Sequence, residues 1–309
     1  MMKIAYFSGD EETLPILERL AEEGEVRVLV TQPPKPKGRG LKLLPSPLVL
    51  FAQKKGIKPL FPKDPNASEF IEILRKEEIE VGVLVSFGHI IKSELLNLFP
   101  KGFINLHPSL LPKYRGPAPI QRAILAGEEK SGVTTIFMNE GIDAGPIIEQ
   151  RVVEIGRGET YGDLKKKLFL IGADLLLSTL RLIKEGRVKP LPQDEGEATY
   201  AQKIKKEELV ISWERERDFI HNQIRAFSPK PGAFTSFRQK KVIILKSEIP
   251  KNDSDLEEPG AIIISGGDLF VGTKKGLLKI KELKVEGRGI VSGRDFVNGY
   301  KPKVGEKFE

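Results

Sequence analysis

The chain has 309 residues, 39% of them hydrophobic and 30% charged, with three histidines, no cysteine and a net charge of +7. That length allows two domains and a sizeable core, while the missing Cys excludes disulfides, thiolate nucleophiles and thiolate metal sites, and three scattered His speak against a zinc centre. No apolar run approaches the roughly 20 residues that span a bilayer, and the opening Met-Met-Lys-Ile-Ala-Tyr-Phe reads as a strand, not a signal peptide, so a cytoplasmic monomer without membrane contact is expected.

Lys3 to Ser8 predicts a buried strand, and Gly9 opens a turn. Leu14, Leu17 and Leu20 recur at three-residue steps and predict a helix over 11–23. Val26 to Val30 is a second strand. The stretch 31–47, rich in Pro and holding Gly38 and Gly40, reads as a loop. Helices are expected over 47–55 and 67–77, and Val81 to Ser86 is a continuous apolar strand of the kind buried in a parallel sheet. Ser93 caps a short helix. Gly102 to His107 is a strand, Pro117 starts a helix to Ala126, and strands follow over 133–139 and 147–153. Thr160 to Glu185 is a long amphipathic helix closed by Gly186. Residues 187–206 read as a linker. Beyond it a helix over 213–227 precedes short strands near 233–238, 241–247, 260–265, 268–272 and 277–285, a pattern that suggests a small β-barrel.

Strands alternating with helices argue for an α/β fold with a doubly wound, mainly parallel sheet over residues 1–186. Gly9 starts no Gly-x-Gly-x-x-Gly, so no dinucleotide is indicated. Residues 207–309 form the second domain. From 201 onward there are 22 Lys plus Arg against 16 Asp plus Glu, and from Val26 to Lys63 nine basic residues and no acid. A polyanionic partner accounts for both features. Lys274, Lys275, Lys279, Lys281 and Lys284 form a basic ribbon that a solvated strand face explains equally well.

The most informative stretch runs from Phe103 to Gly145. Asn105 and His107 share the two-residue period of a strand and point to one side. Pro108 ends that strand, having no N–H to give a ladder. Asp143 comes 36 residues after the His, between Gly141 and Gly145. An amide, an imidazole and an acid suit acyl transfer to an amine: Asn105 and His107 offer donors to a developing oxyanion, the imidazole can move a proton, and Asp143 can orient the ring. An isolated Asn-x-His equally suits a strand end whose backbone groups need partners. Ser109 carries no mark of an activated nucleophile, so direct transfer without a covalent enzyme intermediate is expected. Two prolines flanking an apolar pair make Ser109-Leu110-Leu111-Pro112 a stiff turn, whose backbone groups would suit a flat heteroaromatic ligand.

At Asn105, His107, Ser109-Leu110-Leu111-Pro112, Arg115-Gly116 and Asp143 the chain resembles the formyltransferases that use 10-formyltetrahydrofolate. Thr31-Gln32-Pro33, Gly38-Arg39-Gly40, Pro45-Ser46-Pro47 and Gly116-Pro117-Ala118-Pro119-Ile120-Gln121-Arg122 resemble the bacterial branch that acts on methionyl-tRNA. The likeness spans the chain and weakens after residue 205. It implies a Rossmann-like catalytic domain, an OB-like C-terminal domain that binds tRNA, and Asn105, His107 and Asp143 as the catalytic set. It implies a folate co-substrate against Phe87, Gly88, His89, Ile90, Ser109, Leu110, Leu111 and Pro112, with His89 not a second catalyst. It also implies initiator methionyl-tRNA as partner, met by Lys35, Lys37, Arg39 and Lys42, and no metal. The first turn, Phe-Ser-Gly-Asp-Glu-Glu, departs from the Gly-Thr-Pro common in the family. Formyl transfer to glycinamide ribonucleotide or to an amino sugar-nucleotide, hydrolysis of the folate donor, and a non-enzymatic RNA-binding protein are the competing readings. The length of the chain speaks against the first, the acid-free loop against the second, and the intact polar triad against the last.

Overall fold

The computed structural model describes residues 2–37, 42–250, 258–303 and 305–309. In chain order the elements are β1 (Lys3–Phe7), α1 (Leu14–Glu23), β2 (Glu25–Val30), β3 (Lys35–Lys37), β4 (Lys42–Leu44), α2 (Pro47–Lys54), β5 (Lys58–Leu60), α3 (Ser68–Arg75), β6 (Val81–Leu84), α4 (Ser93–Leu96), β7 (Phe103–His107), α5 (Pro119–Leu125), β8 (Lys130–Phe137), β9 (Ile147–Glu154), α6 (Tyr161–Lys184), α7 (Arg217–Phe227), β10 (Ala233–Phe237), β11 (Lys240–Glu248), β12 (Ile262–Ser265), β13 (Asp268–Gly272), β14 (Leu277–Val285), β15 (Ile290–Ser292) and α8 (Gly293–Tyr300). No helix among the described residues is long and apolar enough to cross a membrane.

The chain divides into two compact units. The first comprises residues 1–119, 131–153 and 166–201, and the second 120–130, 154–165 and 202–309.

The first unit is built on a seven-stranded sheet ordered β5-β2-β1-β6-β7-β8-β9. β5 through β7 pair in parallel, and β8 runs antiparallel to β7. The interior strands are near-continuous apolar runs because a parallel sheet is covered on both faces. Phe7, Phe99 and Phe103 pack in a core cluster with Val28, Ile71, Leu74 and Leu95, with ring centroids of Phe7 and Phe103 4.9 Å apart. On the alternate side of β7, α6 presses against Leu106. A Cβ at Gly172 would stand 2.6 Å from Leu106 Cδ2, so only glycine lets the helix come this close. With Leu106 and Phe103 locked on opposite faces, β7 cannot slip by a residue, which would turn every side chain over.

The second unit holds an antiparallel sheet ordered β10-β11-β14-β13-β12, with β15 added to β14. Buried and open positions alternate along β14, the signature of a strand covered on one face. Trp213, Phe237, Phe296 and Phe308 form its aromatic core.

The hairpin β3–β4 occupies sequence that reads as loop, and the strand β5 lies in a stretch to which the sequence assigns no element. Pro59 sits in β5 and Pro36 in β3, and a proline is tolerated in such short or edge strands because no inward ladder bond needs its N–H. Helix α5 begins at Pro119, two residues later than the sequence suggests, and α7 at Arg217 rather than Trp213.

Candidate active site

β7 is buried along its whole length, and Asn105 and His107 are only 6% and 4% exposed. A buried polar side chain without a partner is costly, so their partners define the site. Asn105 Nδ2 donates to Asp143 Oδ1 at 2.9 Å. The other carboxylate oxygen, Oδ2, lies 3.5 Å from His107 Nδ1 and accepts the Gly116 backbone N–H at 2.8 Å. The three polar side chains singled out in the sequence thus meet around one carboxylate. His107 Nε2 is 2.9 Å from the Tyr114 carbonyl. A carbonyl can only accept, so this nitrogen carries a proton and the opposite ring nitrogen faces Asp143.

The loops are shaped for this convergence. Asp143 and Tyr114 both take left-handed backbone angles, φ 50° and 63°, uncommon for residues with a Cβ and typical of sites held by their surroundings. Gly145 passes so close to β8 that a Cβ would stand 1.7 Å from the Phe137 carbonyl oxygen. Gly116 has φ 114°, and a Cβ there would meet the Ala201 carbonyl at 3.0 Å.

The turn 109–112 is stiff, but much of its backbone is already engaged. Leu110 O accepts from Lys113 N, Leu111 N donates to Thr134 Oγ1, Leu111 O accepts from Gln150 Nε2, and Pro112 O accepts from Thr199 N. Buried Ser109 donates from Oγ to Lys113 O at 2.7 Å, fixing the turn. A ligand therefore meets the shape of this turn rather than a row of open amides. Phe87 is buried, its ring 5.4 Å from Phe7 and 5.1 Å from His89. Gly88 follows with φ 80°, and Ile90 is 77% exposed while Asn66 Nδ2 holds its carbonyl. Ile142, beside Asp143, is 62% exposed. Large exposed aliphatic side chains in the loop after β6 and in the Asp143 turn suit the faces of a flat ring system.

Lys35 and Lys37 lie on β3 and Lys42 on β4, with Lys37 paired to Lys42 across the hairpin. Arg39 lies outside the described residues. Among the described residues no group of three or more His, Asp or Glu side chains is placed to hold a metal ion.

One buried polar cluster was visible in the sequence only through Arg115, and not through its partners. Arg115 is 1% exposed and pairs through both terminal nitrogens with Glu195, at 2.9 and 2.8 Å. That hydrogen-bonded pairing holds the Glu195 carboxyl below the usual carboxylate range. Arg115 also donates from Nε and Nη2 to Gln193 Oε1. Gln193 and Glu195 belong to the segment expected as linker. That segment is tethered at Leu191 to Ile147 and at Thr199 and Ala201 to Arg115. The signal in the sequence was Arg115 itself, which with Gly116 belongs to the motif that resembles the formyltransferases.

The formyl transferase family model matches residues 2–180, and the model for the formyl transferase C-terminal domain matches residues 203–301. The chain is 42% identical over 313 residues to the methionyl-tRNA formyltransferase of Dictyoglomus thermophilum and 41% identical over 310 residues to that of Carboxydothermus hydrogenoformans, each match covering 100% of both chains. Among solved structures, a sugar 3N-formyl transferase, WlaRD, in the presence of dTDP and 5-N-formyl-THF, superposes with a TM-score of 0.68 at 22% identity, covering 94% of this chain and 99% of that one.

Proposed function

The chain belongs to the formyl transferase family, and we infer that it moves the formyl group of a folate donor onto the α-amino group of methionyl initiator tRNA. The observation that carries the chemistry is the single Asp143 carboxylate shared by Asn105, His107 and the Gly116 N–H. The identity of the acceptor follows the full-length relatives.

The donor is 10-formyltetrahydrofolate, bordered by Phe87, Gly88, His89 and Ile90 on one loop and by Ser109, Leu110, Leu111 and Pro112 on the other. The amine nitrogen attacks the formyl carbon, a C–N bond forms, and the carbonyl oxygen becomes negative. Asn105 spends one N–H on Asp143 and turns the other to that oxygen, already oriented when charge develops. Asp143 keeps the amide and the ring in register. His107 Nδ1, with Nε2–H fixed on Tyr114, takes the proton the amine loses and passes it to N10 of the folate as the old C–N bond breaks. No covalent bond to the protein forms and no metal takes part. Lys35, Lys37, Arg39 and Lys42 meet the acceptor end of the tRNA by phosphate and base-edge contacts, and the lysines of β14 add to the electrostatic footprint of the second unit. Along the chain the catalytic domain is assigned to residues 1–186 and the tRNA-binding domain to 207–309, in a cytoplasmic monomer; of the segment 187–206 that joins them, the part up to Ala201 packs with the first unit.

The test is competition. The protein is given 10-formyltetrahydrofolate with initiator methionyl-tRNA, an amino sugar-nucleotide and glycinamide ribonucleotide, and products are identified by mass. Formylmethionyl-tRNA is expected as the main product. Formate alone, or a formylated sugar, would overturn the reading.

A further inference from the structure

Asp143 sits in a turn with φ 50°, and its own side-chain bonds do not fix its main chain. What grips the main chain is Gln193. Its Nε2 donates to the Asp143 carbonyl at 2.8 Å and to the Gly145 carbonyl at 2.7 Å, while its Oε1 accepts from Arg115 Nε at 3.0 Å and Nη2 at 2.9 Å. The amide orientation is unambiguous: turned over, its oxygen would face two carbonyls and its NH₂ a guanidinium, leaving every one of these contacts without a donor–acceptor match. Arg115 is in turn locked by Glu195, and its backbone N–H and C=O are both paired, with Thr199 O and Ala201 N.

The arrangement reaches Asp143 twice from one dipeptide. The Gly116 N–H holds carboxylate oxygen Oδ2. The Arg115 guanidinium, next door in the chain, holds the Asp143 and Gly145 carbonyls by way of Gln193. The strap 191–201 is pinned beside the turn at Ile147–Leu191 and beside the catalytic strand at Arg115–Ala201, with Gln193 between the two anchors. Each acceptor on the turn is matched by a donor whose own position is over-determined, the condition for holding an uncommon backbone angle.

We propose that Gln193, oriented by Arg115 and Glu195, is a positioning residue for the reaction: it sets the aim of the Asp143 carboxylate, and through it the geometry of Asn105 and His107. This rests on the catalytic reading of Asp143 given above. Gln193 touches no reacting atom, so its effect is on alignment, where a displacement near 1 Å costs about 100-fold in rate.

Two substitutions separate the donor role from a mere partnership with Arg115. Gln193→Glu keeps an acceptor for the guanidinium but removes both N–H bonds to the turn. Gln193→Met removes donor and acceptor at similar volume. Both are expected to lower kcat by about 100-fold, with KM for 10-formyltetrahydrofolate and for initiator methionyl-tRNA within about twofold. In an Asp143→Asn background either change should add less than about threefold, because the group being aimed is already disabled. Wild-type kcat in Gln193→Glu would overturn the proposal, since pairing with Arg115 would then be all that matters. So would a loss that multiplies unchanged onto Asp143→Asn, or one confined to KM, either of which marks a general structural role. If Asp143→Asn alone has wild-type turnover, the catalytic reading itself fails, and the two failures are told apart. Should Gln193→Met not fold, Gln193→Glu decides the matter on the same readouts.

Discussion

β7 in the first unit and β14 in the second are both central strands, and they treat polar residues in opposite ways. All five residues of β7 are buried, Asn105 and His107 among them. In β14, buried Leu278, Ile280, Leu283 and Val285 alternate with residues open to solvent, the three lysines Lys279, Lys281 and Lys284 included. A buried amide must be hydrogen-bonded or it destabilises the fold, so a polar residue in a covered parallel strand persists only with a built environment. A lysine on the open face of an antiparallel strand needs none. Lys279 and Lys281 have acids across from them in Asp268 and Glu248, but solvent-screened pairs of this kind contribute little to stability. On the proposed reading the reacting groups are therefore few and enclosed in the first unit, whereas in the second the charges are many and individually weak.

The largest test of that contrast is Asp143→Asn. The change preserves shape, removes the charge facing His107, and places an NH₂ or a neutral oxygen against donors that now bond the carboxylate. Turnover is expected to fall by about 10³-fold or more, while folate affinity, measured by equilibrium titration, stays within a few-fold. Turnover within a few-fold of wild type would end the role given to this residue. A glycine pair tests the same contrast through stability. Gly145→Ala drives a Cβ into the Phe137 carbonyl and should cost about 3 kcal/mol by denaturant unfolding, with activity lost alongside. Gly287→Ala meets open space and carries only the penalty of its φ of 74°, about 1 kcal/mol. Equal losses at the two sites would contradict the claim that the turn around Asp143 is the more tightly determined region.

The same contrast explains what could be read in advance. Asn105 and His107 stood out because polar residues interrupt an otherwise apolar strand, and Asp143 because glycines bracket it. The parallel sheet followed from alternating periodicities in β1, α1, β2, β6 and β7. Helix α8 was hidden because Gly293 opens it and Gly299 lies near its end, and both lower helix propensity. The structure gives the reason for the first: a Cβ at Gly293 would stand 2.2 Å from the Ile280 carbonyl, so the helix reaches β14 only through glycine. Its one local signal was Ser292, which caps the helix by accepting from Asp295 N. Gln193 left no signal. Its value depends on contacts nearly 50 and 80 residues away in the chain, and a polar residue between Pro192 and Asp194 has the composition of any linker.

Arg39→Ala sharpens the comparison within the first unit, because the basic stretch around it resembles β14 in its surplus of cations. A single phosphate or base-edge contact is one of several, so kcat/KM for initiator methionyl-tRNA should fall by about tenfold. Affinity for the folate should be unchanged in a direct titration. The deficit should shrink as salt is raised, since the contact that wild type alone makes is itself weakened by salt. Equal loss of tRNA and folate binding would give the loop a different task.

The smallest effect concerns the one histidine of the second unit, and it tests whether its ring is enclosed as the polar side chains of β7 are. His221 on α7 is 7% exposed, with Nε2 donating to Arg157 O at 3.0 Å and Nδ1 accepting from Ser247 Oγ at 2.9 Å. Burial pushes its pKa down from 6.5, the pairing with Arg157 O and the charge of Asp218 oppose that shift, and the charge of Arg225 adds to it. The ring is thus neutral when folded, whereas the unfolded chain protonates it near pH 6.5. The unfolded state then binds more protons, so stability rises with pH. The contribution is complete above about pH 6.5, begins to be lost as pH falls below that value, and is fully lost once pH has passed the lowered folded-state pKa. His221→Gln retains a hydrogen-bonding side chain without the titration. The difference in thermal midpoint between wild type and His221→Gln is expected to be constant from pH 8 to 7 and to narrow steadily toward pH 5. A difference that does not change with pH would mean that the ring is solvated enough to titrate alike in both states, and that His221 is not enclosed as the polar side chains of β7 are.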